Sequence, residues 1–237
     1  MPQPERPPIT MTTFRNIVCA CVAISSIANA ETPKETKGNP LIFSEDFEKG
    51  AEKWTQTDPA ACKVIEEDGG HVYSQHQQSN YKPEVRSPLN IARVKDLDVG
   101  DFVVEARMKQ TGKEYGHRDM CIFFGYQDPA HFYYVHLATK ADEHANSIFL
   151  VNGAPRVSIA QERTQGTDWG TGYQTVRIER DTKAGTILVY FNDMTKPAMK
   201  TTDKTFLHGG IGFGTFDDTG NIDDVHIWGK PAEPAKK

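Results

Sequence analysis

Residues 102–109 read Phe102-Val103-Val104-Glu105-Ala106-Arg107-Met108-Lys109, and their spacing decides the fold class. Phe102, Val104, Ala106 and Met108 fall on one side of an extended chain; Val103, Glu105, Arg107 and Lys109 fall on the other. Successive strand side chains point to opposite faces, so this period of two argues for a half-buried β-strand. Thr175, Arg177 and Glu179 alternate with Val176 and Ile178 in the same way. Outward from these two stretches, runs rich in Val, Ile, Phe and Tyr recur at 41–47, 63–67, 71–75, 120–126, 132–138, 147–151, 156–160, 186–191, 210–216 and 222–228. Gly, Asp, Asn and Pro punctuate them. Asn152-Gly153 between two runs reads as a two-residue hairpin turn, because such turns need positive φ at both central positions. No window sustains a 3.6-residue period with caps. A dozen strands without a convincing helix predict an all-β, two-sheet antiparallel β-sandwich of jelly-roll type.

The chain has 237 residues, 27 Lys+Arg against 32 Asp+Glu, and a formal net charge of −5. It carries no basic block, and phosphate contacts need clustered Lys and Arg, so a nucleic-acid partner is set aside. No apolar stretch reaches the ~20 residues of a membrane-spanning helix, so an integral membrane protein is not expected. Residues 11–30 carry Arg15, an apolar run from Ile17 to Ile27 and Ala28-Asn29-Ala30, the pattern of a cleavable signal peptide. Residues 1–30 are therefore expected as the signal, with Met11 a candidate start, 31–39 as a polar linker, 40–229 as one β-sandwich domain and 230–237 as a disordered tail. Cleavage after Ala30 would remove Arg6, Arg15 and Glu5, leaving a net charge of −6 over 207 residues. The protein would then be secreted or periplasmic, and an oxidising compartment permits a Cys62–Cys121 disulfide. Free Cys also serves as a small buried hydrophobe.

Familiar catalytic signatures are absent. Gly210, Gly212 and Gly214 alternate inside a strand run instead of opening a helix, so they read as points of close approach and not as a nucleotide loop. No strand offers the alternating Asp/Glu that places two carboxyls about 5–5.5 Å apart for a retaining glycosidase. The unusual stretch is 115–146, with Tyr115, His117, Arg118, Asp119, His131, Tyr133, His136, Asp142 and His144; four of the chain's eight histidines fall in it. Phe132, Tyr134 and His136 share one strand face. Such a gathering supplies the donors, acceptors and stacking faces of sugar recognition, though a His closing an apolar strand equally suits a structural hydrogen bond.

The opening Leu41-Ile42-Phe43-Ser44-Glu45-Asp46-Phe47-Glu48 with Trp54 is similar to the first strand of concanavalin A-like jelly rolls. Phe102 to Arg107, followed by a Gly/His loop and Cys121-Ile122-Phe123-Phe124-Gly125, resembles the 3-keto-disaccharide hydrolase-like domain family. Tyr173 to Ile178 with Gly185 to Asn192 resembles that family's paired central strands. Gly212-Phe213-Gly214 and Ile222-Asp223-Asp224-Val225 resemble the closing strands of laminin G-like and lectin-like sandwiches. His117-Arg118-Asp119-Met120 stands where the hydrolase-like family has Asn-Ser-Gly, a departure from its pattern.

These readings lead to an exported carbohydrate-binding or carbohydrate-processing jelly roll acting on an oligo- or polysaccharide. The alternatives are an enzyme on the same fold and a structural or adhesion module without a small ligand. The enzyme would be 3-keto-glycoside hydrolase-like, or a polysaccharide lyase with Tyr133 or His136 as base and Arg107 or Arg118 neutralising a uronate. The expected ligand surface is Glu105, Arg107, Arg118, His136 and His144, if the strand of Glu105 and Arg107 lies on the same concave sheet. Trp169, in Asp168-Trp169-Gly170, would be either a stacking platform or a loop anchor. Resemblance to carbohydrate-binding jelly rolls also implies a structural calcium ion on Glu48 and Asp223, with Asp46 a weaker third; solvated turn acids are the plainer reading.

Overall fold

The computed structural model describes Met1, Gln3 and residues 31–232. The expected signal segment and the last five residues lie outside the described residues, apart from Met1 and Gln3. Among the described residues, all secondary structure belongs to the unit Pro33–Lys237. In chain order the strands are β1 (Glu35–Thr36), β2 (Asn39–Glu45), β3 (Trp54–Gln56), β4 (Cys62–Glu67), β5 (Gly70–Gln75) and β6 (Asn90–Val94). They continue with β7 (Val99–Gln110), β8 (Asp119–Asp128), β9 (His131–Ala138), β10 (Ser147–Asn152), β11 (Val157–Ser158) and β12 (Glu162–Arg163). The last are β13 (Gln174–Asp181), β14 (Thr186–Phe191), β15 (Met199–Thr202), β16 (Gly210–Thr215) and β17 (Gly220–Pro231).

Two antiparallel sheets result. The larger runs β1-β2-β17-β7-β13-β14-β15-β12, with β5 also pairing β17 and β4 pairing β5; the smaller runs β11-β10-β9-β8-β16-β6-β3. The core lies between them. Val104, Ala106 and Met108 of β7, with Val176 and Ile178 of β13, meet Ile122 and Phe124 of β8 and Tyr133, Val135 and Leu137 of β9. The alternation read in 102–109 is thus the alternation of core against outer face.

Cross-strand register defines the outer face of the smaller sheet. Cys121 stands opposite His136 on one side and Gly214 on the other, and Phe123 opposite Tyr134 and Gly212. Ile91, Cys121, Phe123, Phe132, Tyr134, Phe149 and Val151 form a second buried cluster there, with Val85 of the β5–β6 loop packed against it. The glycines permit this crowding: a Cβ on Gly214 would lie 2.8 Å from the Phe123 ring and against the Asn90 carbonyl.

Several local expectations differ. Asn152 stays within β10, paired with His131, so the β10–β11 connection is longer than a two-residue turn and only Gly153 has positive φ. Tight hairpins with two positive-φ central residues are instead Lys37-Gly38, joining β1 to β2, and Asp68-Gly69, joining β4 to β5. The stretch expected as linker contributes β1, and Pro33 accepts the Trp228 indole N–H at 2.7 Å. Of the stretch expected as tail, Lys230 and Pro231 belong to β17 and the Ala232 N–H reaches the Asp98 carbonyl, while 233–237 lie outside the described residues. Cys62 and Cys121 are free, one in each sheet, so the permitted disulfide is not formed.

Candidate functional site

At one end of the outer face of the smaller sheet, Arg86, Tyr115, His117, His136, His144, Arg156, Phe216 and Asp217 line a cavity of about 160 Å³. Five loops and one strand supply it, Arg86 coming from the β5–β6 loop and Arg156 from the β10–β11 loop. His136 comes from β9; His117 and Tyr115 come from the β7–β8 loop; His144 comes from the β9–β10 loop; Phe216 and Asp217 follow β16. Arg156 lies over the Phe216 ring at 4.3 Å and the Phe149 ring at 4.7 Å, and donates to the Tyr134 hydroxyl at 2.6 Å. Its Nε is buried without a partner. Arg86 approaches the same Phe216 ring at 5.5 Å and is otherwise exposed. His117 is tied to Asp142 by a hydrogen bond.

Beneath the cavity lies a buried acid cluster. Asp119, fully buried, accepts from the Phe216 N–H at 2.9 Å and the Cys121 thiol at 3.1 Å, and lies 3.2 Å from His136 Nε2. Burial alone would raise its pKa, but the His136 charge and these donors hold it below the usual carboxylate range. Asp218 accepts from the Tyr115 hydroxyl at 2.7 Å and the Asp119 N–H at 3.0 Å. Its carboxyl is pushed up to about 6, chiefly by burial, with the Asp119 charge adding to the effect. Among the described residues, two groups of three offer metal-ligating atoms within 4.8 Å of one another: Asp119, Cys121 and His136, and Asp119, Asp217 and Asp218.

The expected ligand residues are divided between the two sheets. His136 and His144 reach the cavity. Glu105 and Arg107 do not, because β7 belongs to the larger sheet and both side chains point away from the core. Glu105 pairs with Arg177 at 2.5 Å, and Arg107 holds Asp224 at 3.0 Å and Asp223 at 3.3 Å. Arg118 is buried, donating to the Gln110 side chain at 2.5 Å and the Gly170 carbonyl at 3.0 Å, and so pins two loops. Trp169 is corrected from platform to anchor. It is 1% exposed, in the core, and its Nε1 donates to the Leu137 carbonyl at 3.1 Å.

Both candidate bases are buried against protein groups. Tyr133 faces the core and donates to Asp203 while accepting the Phe206 N–H at 3.0 Å. Both ring nitrogens of His136 face protein: Nδ1 lies 3.0 Å from the His144 carbonyl and Nε2 faces Asp119. The acids expected to hold calcium have protein partners too. Glu48 accepts the His71 N–H at 2.7 Å and lies 2.9 Å from His71 Nδ1, Asp46 accepts the Glu48 N–H at 3.3 Å, and Asp223 has Arg107. Sequence reasoning did not give Arg86, Arg156, Phe216 or Asp217 a role. All four lie in loops, and strand order decides which loops meet, which no local spacing displays.

The sandwich and its layout define the concanavalin A-like, galectin-like class of folds. No protein-family model matches the chain, and no curated protein sequence is similar to it. Similar solved structures include the carbohydrate-binding module CBM66 from Bacillus subtilis, at 16% identity and TM-score 0.52, covering 74% of this chain and 95% of that one. Domain 4 of AbnA, an extracellular arabinanase from Geobacillus stearothermophilus solved with arabinotriose, matches at 13% identity and TM-score 0.51, covering 82% and 95%. The metal-free form of lectin I-B4 from Griffonia simplicifolia matches at 14% identity and TM-score 0.51, covering 78% and 98%.

Proposed function

We propose that the protein is an exported carbohydrate-binding module whose cavity takes the end of an oligo- or polysaccharide carrying an acidic group. One observation carries this reading. Two guanidinium groups converge on the Phe216 ring at the mouth of a small cavity, and the Nε of Arg156 has no protein acceptor. Planar guanidinium forks match carboxylate and sulfate oxygens, and an aromatic face stacks on a sugar ring. A cavity of about 160 Å³ is below the roughly 300–1,000 Å³ of sites for larger ligands, so it suits one terminal sugar. The sugar-binding neighbours support the class of ligand, and residues 11–30 support export. Binding is favoured over catalysis because both ring nitrogens of His136 are turned to protein groups, Nδ1 to the His144 carbonyl and Nε2 to Asp119.

The test is retention on neutral, uronate and sulfated polysaccharide gels. Acidic polymers should retain the protein, less so at high salt, and Arg86→Ala should abolish retention without moving the melting curve. No retention on any polymer would leave the adhesion-module reading, and new ultraviolet absorbance from a uronate polymer would establish a lyase.

A calcium ion joining the domain ends is a second, separate proposal. Burial first, then the charges of Asp224 and Glu48, push the Asp223 carboxyl up to about 6 despite Arg107. That excess of negative charge is what a divalent cation would relieve.

A further inference from the structure

We propose that Asp119, Cys121 and His136 form a binding site for a zinc-like transition-metal ion at the floor of the cavity. Asp119 and Cys121 are two residues apart on β8 and share its outer face, and His136 is the cross-strand partner of Cys121 on β9. A carboxylate, a thiol and an imidazole therefore come from one patch of two paired strands, whose geometry the ladder fixes. Asp119 Oδ2 lies 3.1 Å from Cys121 Sγ and 3.2 Å from His136 Nε2. With metal–oxygen and metal–nitrogen bonds of about 2.0–2.1 Å and a metal–sulfur bond of about 2.3 Å, a tetrahedral site has ligand–ligand edges of roughly 3.3–3.7 Å. All three ligating atoms lie within 4.8 Å of one another, close enough for one ion to draw them together.

The independent observation is what one of these atoms lacks. His136 is 3% exposed, yet its Nε2 makes no hydrogen bond, and the polar atom beside it is Asp119 Oδ2 at 3.2 Å. Buried polar atoms are nearly always satisfied, and an orphan in a native site needs a partner such as an ion. Orientation agrees. The His144 carbonyl, 3.0 Å from His136 Nδ1, favours the tautomer with the proton on Nδ1 and the lone pair on Nε2. Metal-binding imidazoles are held in this way, by a carbonyl accepting from the far nitrogen. In that tautomer the lone pair of Nε2 faces the carboxylate of Asp119, a repulsion that a metal ion or a second ring proton between them removes. The Phe216 N–H, donating to Oδ2 at 2.9 Å, helps hold that carboxylate in place.

The donor set selects the metal. Thiolate and imidazole favour zinc and cobalt over calcium or magnesium, which want oxygens alone. Binding replaces the thiol proton by the metal, and the proton leaves to solvent. His136 also lines the cavity, which gives the ion its path in, and three protein ligands leave a fourth position to water or ligand. The second acid group, Asp119, Asp217 and Asp218, offers only oxygens and competes for the same Asp119. The competing occupant of the gap beside His136 is a proton, giving a doubly protonated imidazolium paired with Asp119.

The experiment adds cobalt(II) to metal-stripped full-length protein. One equivalent should produce a thiolate-to-cobalt charge-transfer band in the near ultraviolet and the intense visible bands of tetrahedral cobalt, and zinc should bleach both. Cys121→Ser should lose the charge-transfer band. Because Cys121 is buried, each variant is checked by circular dichroism, and His136→Gln provides a second loss of binding that leaves the thiol in place. Absence of the band in the wild type, its persistence in Cys121→Ser, or equal retention of zinc by wild type and both variants on dialysis would overturn the site. None of these readouts depends on sugar binding.

Discussion

Trp169 donates from its indole Nε1 to the carbonyl oxygen of Leu137 at 3.1 Å, and its ring meets Phe191 edge-on at 5.1 Å. The loop after β12 is thereby fastened to β9, the strand that carries His136. Truncating a buried Trp costs about 3–5 kcal/mol, and each kcal/mol lowers Tm by about 2–4 °C in a domain of this size. Trp169→Ala should therefore melt on the order of 10 °C lower. Trp169→Phe should melt between the two and still bind sugar. Loss of sugar retention with an unchanged melting curve would restore the stacking role.

Arg107 lies on the outer face of the larger sheet, across the core from the cavity. Arg107→Ala should retain wild-type binding to acidic polysaccharide, whereas Arg86→Ala should lose it. Measured side by side on one gel, equal losses would show that the ligand surface had been placed on the wrong sheet.

Glu67 gathers the Lys109 ammonium at 2.6 Å, the Tyr173 hydroxyl at 2.5 Å and the Asn221 amide at 3.0 Å. Burial opposes its charge, but these donors prevail and hold its pKa below the ordinary value. A lowered acid pKa stabilises the fold above the unfolded value of about 4.3, and that stability is lost as pH falls through the folded value. Hydrogen bonds to charged groups contribute roughly 1.5–3 kcal/mol, less here because part of the side chain remains in water. Glu67→Gln should therefore melt a few degrees below wild type at pH 7, with the gap closing as pH falls below about 4. A gap that widens in acid would reverse the sign of the argument.

If calcium joins the ends of the domain, it binds the folded form alone and raises Tm by mass action. Excess calcium should then raise the melting temperature of stripped protein, chelator should lower it, and Asp223→Ala should remove the response. Identical melting curves with calcium and with chelator would show that protein groups such as Arg107 and His71, and not an ion, balance these acids.

The fold class was legible because a strand half-buried in a sandwich repeats every two residues, and Phe102 to Lys109 or Thr175 to Glu179 show that repeat without any partner. β3, β6 and β15 were not legible. They are three to five residues long, and charged or polar residues break their pattern, so pairing alone makes them strands. The face shared by Phe132, Tyr134 and His136 was visible for the same reason as β7.

Sequence alone thus determined the alternation, the antiparallel sandwich and the unusual density of polar residues between 115 and 146. Tertiary structure decided which of those residues meet. Local spacing fixes the face on which a side chain lies within its own strand, but not the neighbour it faces or the sheet that its strand joins. Glu105 and Arg107 went to the larger sheet, Trp169 went into the core, and Arg86 and Arg156, distant in sequence, came to the Phe216 ring. Cys121 met His136 only because β8 and β9 pair in one register. A shift of one residue would have turned that thiol to the opposite face.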